Sequence, residues 1–397
     1  MKLSPQQEQA AVTVSRWLRT RSQPFFQLAG FAGTGKTTIA RTLAEDADGP
    51  VFYAAYTGKA ALVLRKSGVE NASTIHRLIY TPRDKCDEHL RDLRERRRKL
   101  AEKSPLPEDE LAKIDVEIAR EMSNLKRPEF TLNGESPLWN ASLVVIDEYS
   151  MVDEQTGRDL LSFGCPVLAL GDPGQLPPVQ GRRFFTRDPD VMLTEIHRQA
   201  EGNPIIRLSK EIREGHELRP GQYGESRVVR RCTLSNSALG KIIKDSDQLL
   251  VGTNVTREGF NRQVRKMYDR TAPYPVPGDK LVCLRNNHQE GLLNGQTFTV
   301  KRVTVKHYLE MHLEGEDGER LACVAHRHHF EHREGELLPY EVRLANEFTY
   351  GYALTVHKAQ GSQWNRVALV DEWHFKDRKK WLYTAVTRAA QSITILT

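Results

Sequence analysis

The chain has 397 residues, 39% hydrophobic and 28% charged. That length predicts two or three domain cores rather than a stapled mini-protein, and the balance excludes wholesale disorder. Lys and Arg outnumber Asp and Glu 58 to 52, a net charge of +6 with a pI near 9.0, which favours a polyanionic partner without naming one.

No apolar run reaches the length of a membrane span and the opening residues carry no secretory apolar stretch, so a cytoplasmic protein with no membrane partner is expected. The cysteines Cys86, Cys165, Cys232, Cys283 and Cys323 form no C-x-x-C pair, which argues for reduced thiols over a zinc ribbon or disulfide framework.

No repeat of fixed period is visible. Phe25 to Ala29 reads as a buried strand, followed by a Gly-rich turn and a helical pattern from Thr37 to Ala47. Val51 to Ala55, Leu143 to Ile146 and Pro166 to Leu170 are further short apolar runs, suited to a parallel sheet covered on both faces. Between Tyr80 and Ser136 both signs of charge become dense. Leu90, Leu93 and Leu100 recur at helical spacing, and beyond the break at Ser104-Pro105-Leu106-Pro107 so do Leu111, Ile114, Ile118, Met122 and Leu125. Glu108, Asp109 and Glu110 suit the positive start of the second helix. The segment predicts an inserted helical hairpin, a solvated pair with a narrow apolar seam in preference to an independent binding module.

Leu249 to Val251 reads as another strand. After Pro273, the runs Lys280 to Leu284, Gln296 to Val303, His307 to Leu313 and Leu321 to Ala325 are short and separated by Gly, Asn and Asp, which predicts a small antiparallel barrel. From Thr349 a strand, a helix and a strand ending in Ile393 to Leu396 close a second α/β core that began before the barrel. His326, His328, His329 and His332 with Glu331 read as a solvated barrel edge rather than a metal site, since no cysteine accompanies them and the spacing fits no closed zinc motif.

Gly30-Phe31-Ala32-Gly33-Thr34-Gly35-Lys36-Thr37 fits G-x-x-x-x-G-K-[ST] between a strand and a helix. Gly30, Gly33, Thr34 and Gly35 let backbone N–H groups surround phosphate oxygens, Lys36 reaches the β- and γ-phosphates, and Thr37 a Mg²⁺. Leu143-Val144-Val145-Ile146-Asp147-Glu148 ends a buried strand with two acids, Asp147 for the metal and Glu148 for the attacking water. The chemistry expected is Mg²⁺-dependent ATP hydrolysis.

These residues and those in order after them resemble superfamily 1 helicases of the RecD/Dda-like branch (SF1B). Leu3-Ser4-Pro5-Gln6-Gln7 looks like the adenine-reading motif, implying that Gln7 bonds the base. Gly171-Asp172-Pro173-Gly174-Gln175 looks like motif III, with Gln175 sensing the γ-phosphate. Glu195-Ile196-His197-Arg198-Gln199 resembles motif IV and Tyr383-Thr384-Ala385-Val386-Thr387-Arg388 motif VI, implying that Arg198 and Arg388 contact the γ-phosphate when two cores close.

Tyr56-Thr57-Gly58-Lys59 resembles motif Ia, although Tyr56 stands where proline is usual. Ser73-Thr74-Ile75-His76 resembles motif Ib, and Leu354-Thr355-Val356-His357-Lys358-Ala359-Gln360-Gly361 motif V. The resemblance implies strand contacts from Thr57, Lys59, Thr74, His76, Thr355 and His357, more weakly from Thr253 and Asn254, and from Asn286 and Asn294 of the barrel. Such groups hold phosphates without reading sequence.

The fold so implied is α/β: two RecA-like parallel-sheet cores with an inserted helical hairpin and an SH3-like β-barrel accessory domain. Residues 1–80 and 136–195 would form the ATP-binding core, and 81–135 the insertion, a strand-separation candidate. Residues 196–275 and 345–397 would form the second core, and 276–344 the barrel. The implied function is an ATP-dependent DNA helicase that moves 5′ to 3′ on single-stranded DNA, with ATP and Mg²⁺ as cofactors. DNA forks and replication or repair proteins would be its partners, and it could act as a monomer. An RNA-directed superfamily 1 helicase, or an ATP-gated loading factor that does not unwind, are the alternatives. No nuclease-like cluster of acids is evident.

Overall fold

The computed structural model describes residues 3–69, 71–83, 88–103, 107–126, 129–179, 181–195, 202–331, 333, 337 and 341–397. Arg198, His332, Cys86 and the break at residues 104–106 lie outside them.

The chain opens with a capping box, in which the Ser4 side chain accepts from the Gln7 N–H and the Gln7 side chain from the Ser4 N–H, and Pro5 starts the helix Pro5–Thr20. That helix buries Ala10, Val14 and Trp17 along one stripe against a six-stranded, all-parallel sheet. The strand order is Ser73–Thr74, Val51–Ala55, Leu143–Asp147, Val167–Gly171, Phe25–Gly30, Val191–Leu193.

Period-two alternation divides the strands between two apolar layers. Leu143, Val145, Leu168 and Leu170 pack with the Pro5–Thr20 helix. Val144, Ile146, Val167 and Ala169 pack on the other face with Ile75, Ile79 and Leu160. Parallel pairing brings the C-terminal ends of three neighbouring strands, at Gly30, Asp147 and Gly171, to one edge.

The helix expected over Thr37 to Ala47 is α-helical only at Lys36–Ile39 and tightens to a 3₁₀ turn at Thr42–Ala44. Ala40, Arg41 and Glu45 keep right-handed helical dihedrals. What changes is the bonding, which shifts to three-residue spacing at Ala40 N–H to Thr37 O and Ala44 N–H to Arg41 O.

The second sheet also has six strands, in the order Ala353–Thr355, Gln248–Val251, Trp364–Val370, Ala389–Leu396, Ser226–Val229, Gly221–Tyr223, with only the last pair antiparallel. Leu250, Val367, Leu369, Ile393 and Ile395 face a core shared with the helices Pro204–Glu214 and Arg378–Val386. Leu249, Val251, Ala368 and Val370 face the layer of Leu239, Ile242, Phe260 and Val264.

The third sheet is antiparallel, in the order Arg320–Ala325, Leu309–Gly315, Thr297–Val305, Lys280–Cys283, Phe348–Tyr350. It is not the closed barrel expected from the sequence. Among the described residues its edges meet at one bridge, Ala325 with Asn346. Phe348–Tyr350 also shows that this sheet runs past residue 344, where the barrel was expected to end. Gly351 then carries the chain towards the second sheet, at a place where a Cβ would stand 2.9 Å from the Leu281 backbone. His326 is buried at the meeting of the edges, its N–H donating to Asn346 O and its ring on Tyr308, and so is not the solvated edge residue expected.

Helices Glu88–Ala101 and Glu108–Lys126 bury Leu90, Leu93 and Ile114 and are paired by Arg97 and Asp115. A two-stranded ribbon of Tyr80–Arg83 and Glu129–Leu132 joins them to the first sheet. No described helix is long and apolar enough to cross a membrane.

Candidate nucleotide cleft and strand track

The loop after Phe25–Gly30 turns through Gly33 and Gly35, both in the left-handed region at φ 83° and 75°, and Gly35 caps the short helix Lys36–Ile39. A Cβ on Gly30 would stand 2.6 Å from Thr34 Oγ1 and 3.0 Å from Leu193 Cβ, so side-chain-free backbone is required there. Thr34 donates its hydroxyl to Phe31 O at 2.8 Å, and the Lys36 ammonium donates to Gly30 O at 2.6 Å and Phe31 O at 3.0 Å. Gln7 is buried, with Nε2 donating to Thr34 O at 3.1 Å, so the opening helix is tied to the loop.

Across the sheet edge, Thr37 donates its hydroxyl to Asp147 Oδ2 at 2.8 Å, while Asp147 Oδ1 accepts from the Glu148 N–H at 2.9 Å. Burial raises the Asp147 carboxyl above its usual range, against the opposing effects of the Thr37 and Glu148 bonds and Lys36. Glu148 has left-handed dihedrals, φ 58° and ψ 46°. That backbone is costly for a residue with a Cβ. Burial raises the Glu148 carboxyl, and Arg388 of the second lobe, the one built on the second six-stranded sheet, is the strongest opposing influence. A hydroxyl beside a carboxylate is the hard oxygen set that Mg²⁺ takes.

The second lobe reaches this edge directly. Arg388 is 5% exposed, and its guanidinium donates to Thr384 O, Ser362 O and Thr387 Oγ1 at 3.1 to 3.2 Å. Tyr383 donates to Asp172 Oδ2 at 2.6 Å and accepts from the Ala32 N–H at 3.1 Å. Arg213 of the helix Pro204–Glu214 lies 3.4 Å from the centroid of the Phe31 ring. Gln175 is buried beside these groups, and its side-chain carbonyl has no partner among the described residues. Tyr383, Asp172 and Arg213 had no role in the sequence reading. Tyr383 and Asp172 lie inside the segments that resemble motifs VI and III, whereas nothing in the sequence marks Arg213, whose contact joins two lobes.

A cleft of about 450 Å³ runs between the lobes and the third sheet. Thr57, Lys59 and His76 line it from the first lobe with Tyr56 and Phe130; Asn286 and Asn294 line it from the third sheet, and His357, Lys358 and Gln360 from the second lobe. Six of the expected strand residues therefore share one wall system. Four do not. Thr74, Thr253 and Thr355 turn their hydroxyls to local N–H groups, at Arg77, Thr256 and Lys358, and Asn254 is exposed elsewhere. Beside Asn254, Glu372 accepts from the Gly252 and Thr253 N–H groups and from Thr256 Oγ1.

Lys59 donates to Glu316 at 2.8 Å and lies over the Trp364 ring. Burial lowers the pKa of His76 and His357, leaving them neutral hydrogen-bonding groups. Burial, helped by Arg257, lowers the Lys358 ammonium to about 8. Lys358 lies in the segment that resembles motif V, and its burial is not legible locally.

A family model described as an AAA domain matches residues 2–232, and one described as a UvrD-like helicase C-terminal domain matches residues 350–396. The chain is 28% identical over 395 residues to the ATP-dependent RecD2 DNA helicase of Deinococcus radiodurans, covering 91% of this chain and 45% of that protein. It is 24% identical over 301 residues to a probable conjugal transfer protein TraA of Sinorhizobium fredii, covering 66% and 25%. The chain thus spans less than half the length of these curated relatives.

Among solved structures, Pif1 helicase from Bacteroides in complex with ADP-AlF3 and ssDNA superposes with a TM-score of 0.55 at 17% identity, covering 99% of this chain and 92% of that one. Pif1 helicase from Candida albicans gives 0.51 at 16%, covering 100% and 94%. These likenesses show a shared fold. With the AAA-domain match extending over more than half its length, the chain belongs to the AAA-domain family.

Proposed function

We propose that the chain is an ATP-driven motor that moves 5′ to 3′ on single-stranded DNA and unwinds duplex. The observation that carries this reading is the Tyr383 hydroxyl, bonded to both Ala32 and Asp172. It places a second-lobe side chain in the first lobe's phosphate site, beside a cleft lined by both lobes. Lys36 would hold the β- and γ-phosphates, Glu148 would orient and deprotonate the attacking water, and Arg388, with Arg198, would steady charge on the transferring phosphoryl group. Gln7 would meet the base, and Gln175 would sense the γ-phosphate. Thr37 and Asp147 would hold Mg²⁺, which when bound offsets phosphate charge.

In this reading the first sheet with its layers is the ATP-binding core, 1–80 and 136–195, and the second sheet is the other core, 196–275 and 345–397. The antiparallel sheet centred on 276–344 acts as an SH3-like accessory domain. The helix pair and ribbon of 81–135 form an inserted hairpin placed to separate strands. Thr57, Lys59, His76, Asn286, Asn294 and His357 would hold phosphates in the cleft, with Thr74, Thr253, Asn254 and Thr355 acting through their neighbouring backbone. Opening one base-pair step costs about 1.4 kcal/mol, so a wedge that captures fraying suffices.

Tailed duplexes of both polarities with ATP test the reading. Displacement from a 5′-tailed substrate, lost in Lys36→Ala, is the expected result. ATP hydrolysis without displacement would favour a loading factor, and stimulation by RNA alone would move the substrate from DNA.

A further inference from the structure

Tyr383 is 1% exposed, and its ring belongs to the second lobe's core. Its hydroxyl does not. It accepts from Ala32, the third residue of the phosphate loop, and donates to Asp172, which follows the strand next to that loop's own strand. Asp172 is also 1% exposed, and its other oxygen accepts from the Gly174 N–H at 2.9 Å. A Cβ on Gly174 would lie 3.1 Å from the Tyr383 ring, so glycine lets the ring approach. One residue on, Thr384 Oγ1 accepts from the Leu176 N–H at 2.9 Å, and Gln360 Nε2 donates to Leu176 O at 3.2 Å. Three second-lobe side chains therefore hold the loop Asp172–Leu176, and one of them also holds the phosphate loop.

Packing alone asks only for the ring, which phenylalanine would supply. The hydroxyl adds something packing does not need: a donor and an acceptor used on two separate elements of the opposite lobe. Burial and Asp172 keep the phenol protonated. Hydrogen bonds weaken steeply beyond about 3.5 Å, so a small separation of the lobes breaks both contacts together.

We propose that Tyr383 is the positioning residue that couples lobe closure to hydrolysis, setting the phosphate loop and the Gln175 loop in register through its hydroxyl. The proposal rests on the ATP-driven reading and deepens it. Tyr383 acts through the Ala32 N–H and Asp172 and takes no part in bond making.

The test uses the full chain with ATP, Mg²⁺ and a 5′-tailed duplex. Tyr383→Phe keeps the ring and removes both bonds. Losing two buried hydrogen bonds that form on closure should lower the DNA-stimulated kcat about tenfold, change KM for ATP less than about twofold, and raise the ATP consumed per base pair displaced. Asp172→Asn probes the same link from the other side and covers the case in which the phenylalanine variant does not fold. If the two act as one unit, the double variant is no slower than the slower single variant. A wild-type kcat and coupling ratio in Tyr383→Phe, or fully additive losses in the double variant, would overturn the proposal. Wild-type protein that neither hydrolyses ATP nor displaces a strand would instead sink the motor reading itself.

Discussion

Lys358 gives the strand track a pH dependence that can be worked out in advance. It lines the cleft, and burial beside Arg257 lowers its ammonium to about 8, with Cys283 and Glu347 acting the other way. A DNA phosphate in the cleft would hold the ammonium charged, so above about pH 8 each binding event must take up a proton. About nine-tenths of free Lys358 is charged at about pH 7 and one-tenth at about pH 9, so affinity for single-stranded DNA should fall about tenfold across that interval. Neighbouring groups do not mimic the effect. His76 and His357 are shifted down and stay neutral, and Cys283 is raised to about 11. Lys280, also near 8 and felt by Lys59, does not line the cleft but bonds Asp247 O and Gln248 Oε1, so its titration falls equally on the wild type and on Lys358→Arg.

Unfolding does not mimic it either. The folded pKa of Lys358 lies below its ordinary value of 10.5, so the unfolded chain binds more protons between the two values. This group's contribution to stability therefore rises with pH there. Fluorescence anisotropy of a labelled oligonucleotide at fixed salt reads the affinity directly, salt being held because phosphate contacts depend on it steeply. Lys358→Arg, whose guanidinium stays charged, should bind with little change across the interval. A flat wild-type profile, or an equal fall in the arginine variant, refutes the reasoning.

Gly30→Ala should raise KM for ATP at least about tenfold and also lower the melting temperature, since its methyl would strike Thr34 Oγ1 at 2.6 Å and press on the core residue Leu193 at 3.0 Å; steady-state kinetics beside calorimetry reads both effects. Glu316 accepts from Lys59 and from Trp364 Nε1, both at 2.8 Å, and so competes with a phosphate for that cation. Glu316→Gln should therefore tighten single-strand binding about two- to fivefold at low salt, with the gain shrinking as salt rises. Leu250 is fully buried in the second lobe, and Leu250→Ala should cost about 2–5 kcal/mol in urea unfolding. Chelating Mg²⁺ should abolish ATP hydrolysis, and restoring activity by adding Mg²⁺ back checks that the fold survived.

Much of this was legible because the signals are local. A strand, a glycine turn and Lys36-Thr37 occupy consecutive residues, so the phosphate loop could be read with its chemistry. The apolar runs of the two sheets announced parallel strands because both faces are buried, as Leu143 to Ile146 shows. Of the residues expected on helical stripes, Leu90, Leu93 and Ile114 are buried, while Leu100, Leu111, Ile118, Met122 and Leu125 are half-buried. Sheet closure was less legible. Alternation announces that a strand exists, but the length and pairing of Phe348–Tyr350 depend on Lys280–Cys283, far away in the chain.

The contacts that make the site depend on two lobes are the ones a linear reading cannot supply. Asp172 reads as a strand-end acid and Tyr383 as a core aromatic, and each description is correct within its own lobe. Only their pairing, 2.6 Å across the cleft, converts two ordinary residues into a link. Glu148 shows the same limit within a single lobe. Its identity suggests a base for water, but the left-handed backbone it adopts at the start of the buried 3₁₀ turn Tyr149–Met151 cannot be read from the residue itself. Strain of this kind persists only where surrounding packing over-determines it. A substitution that loosens that packing should therefore relax Glu148 and impair hydrolysis without touching phosphate or metal ligands.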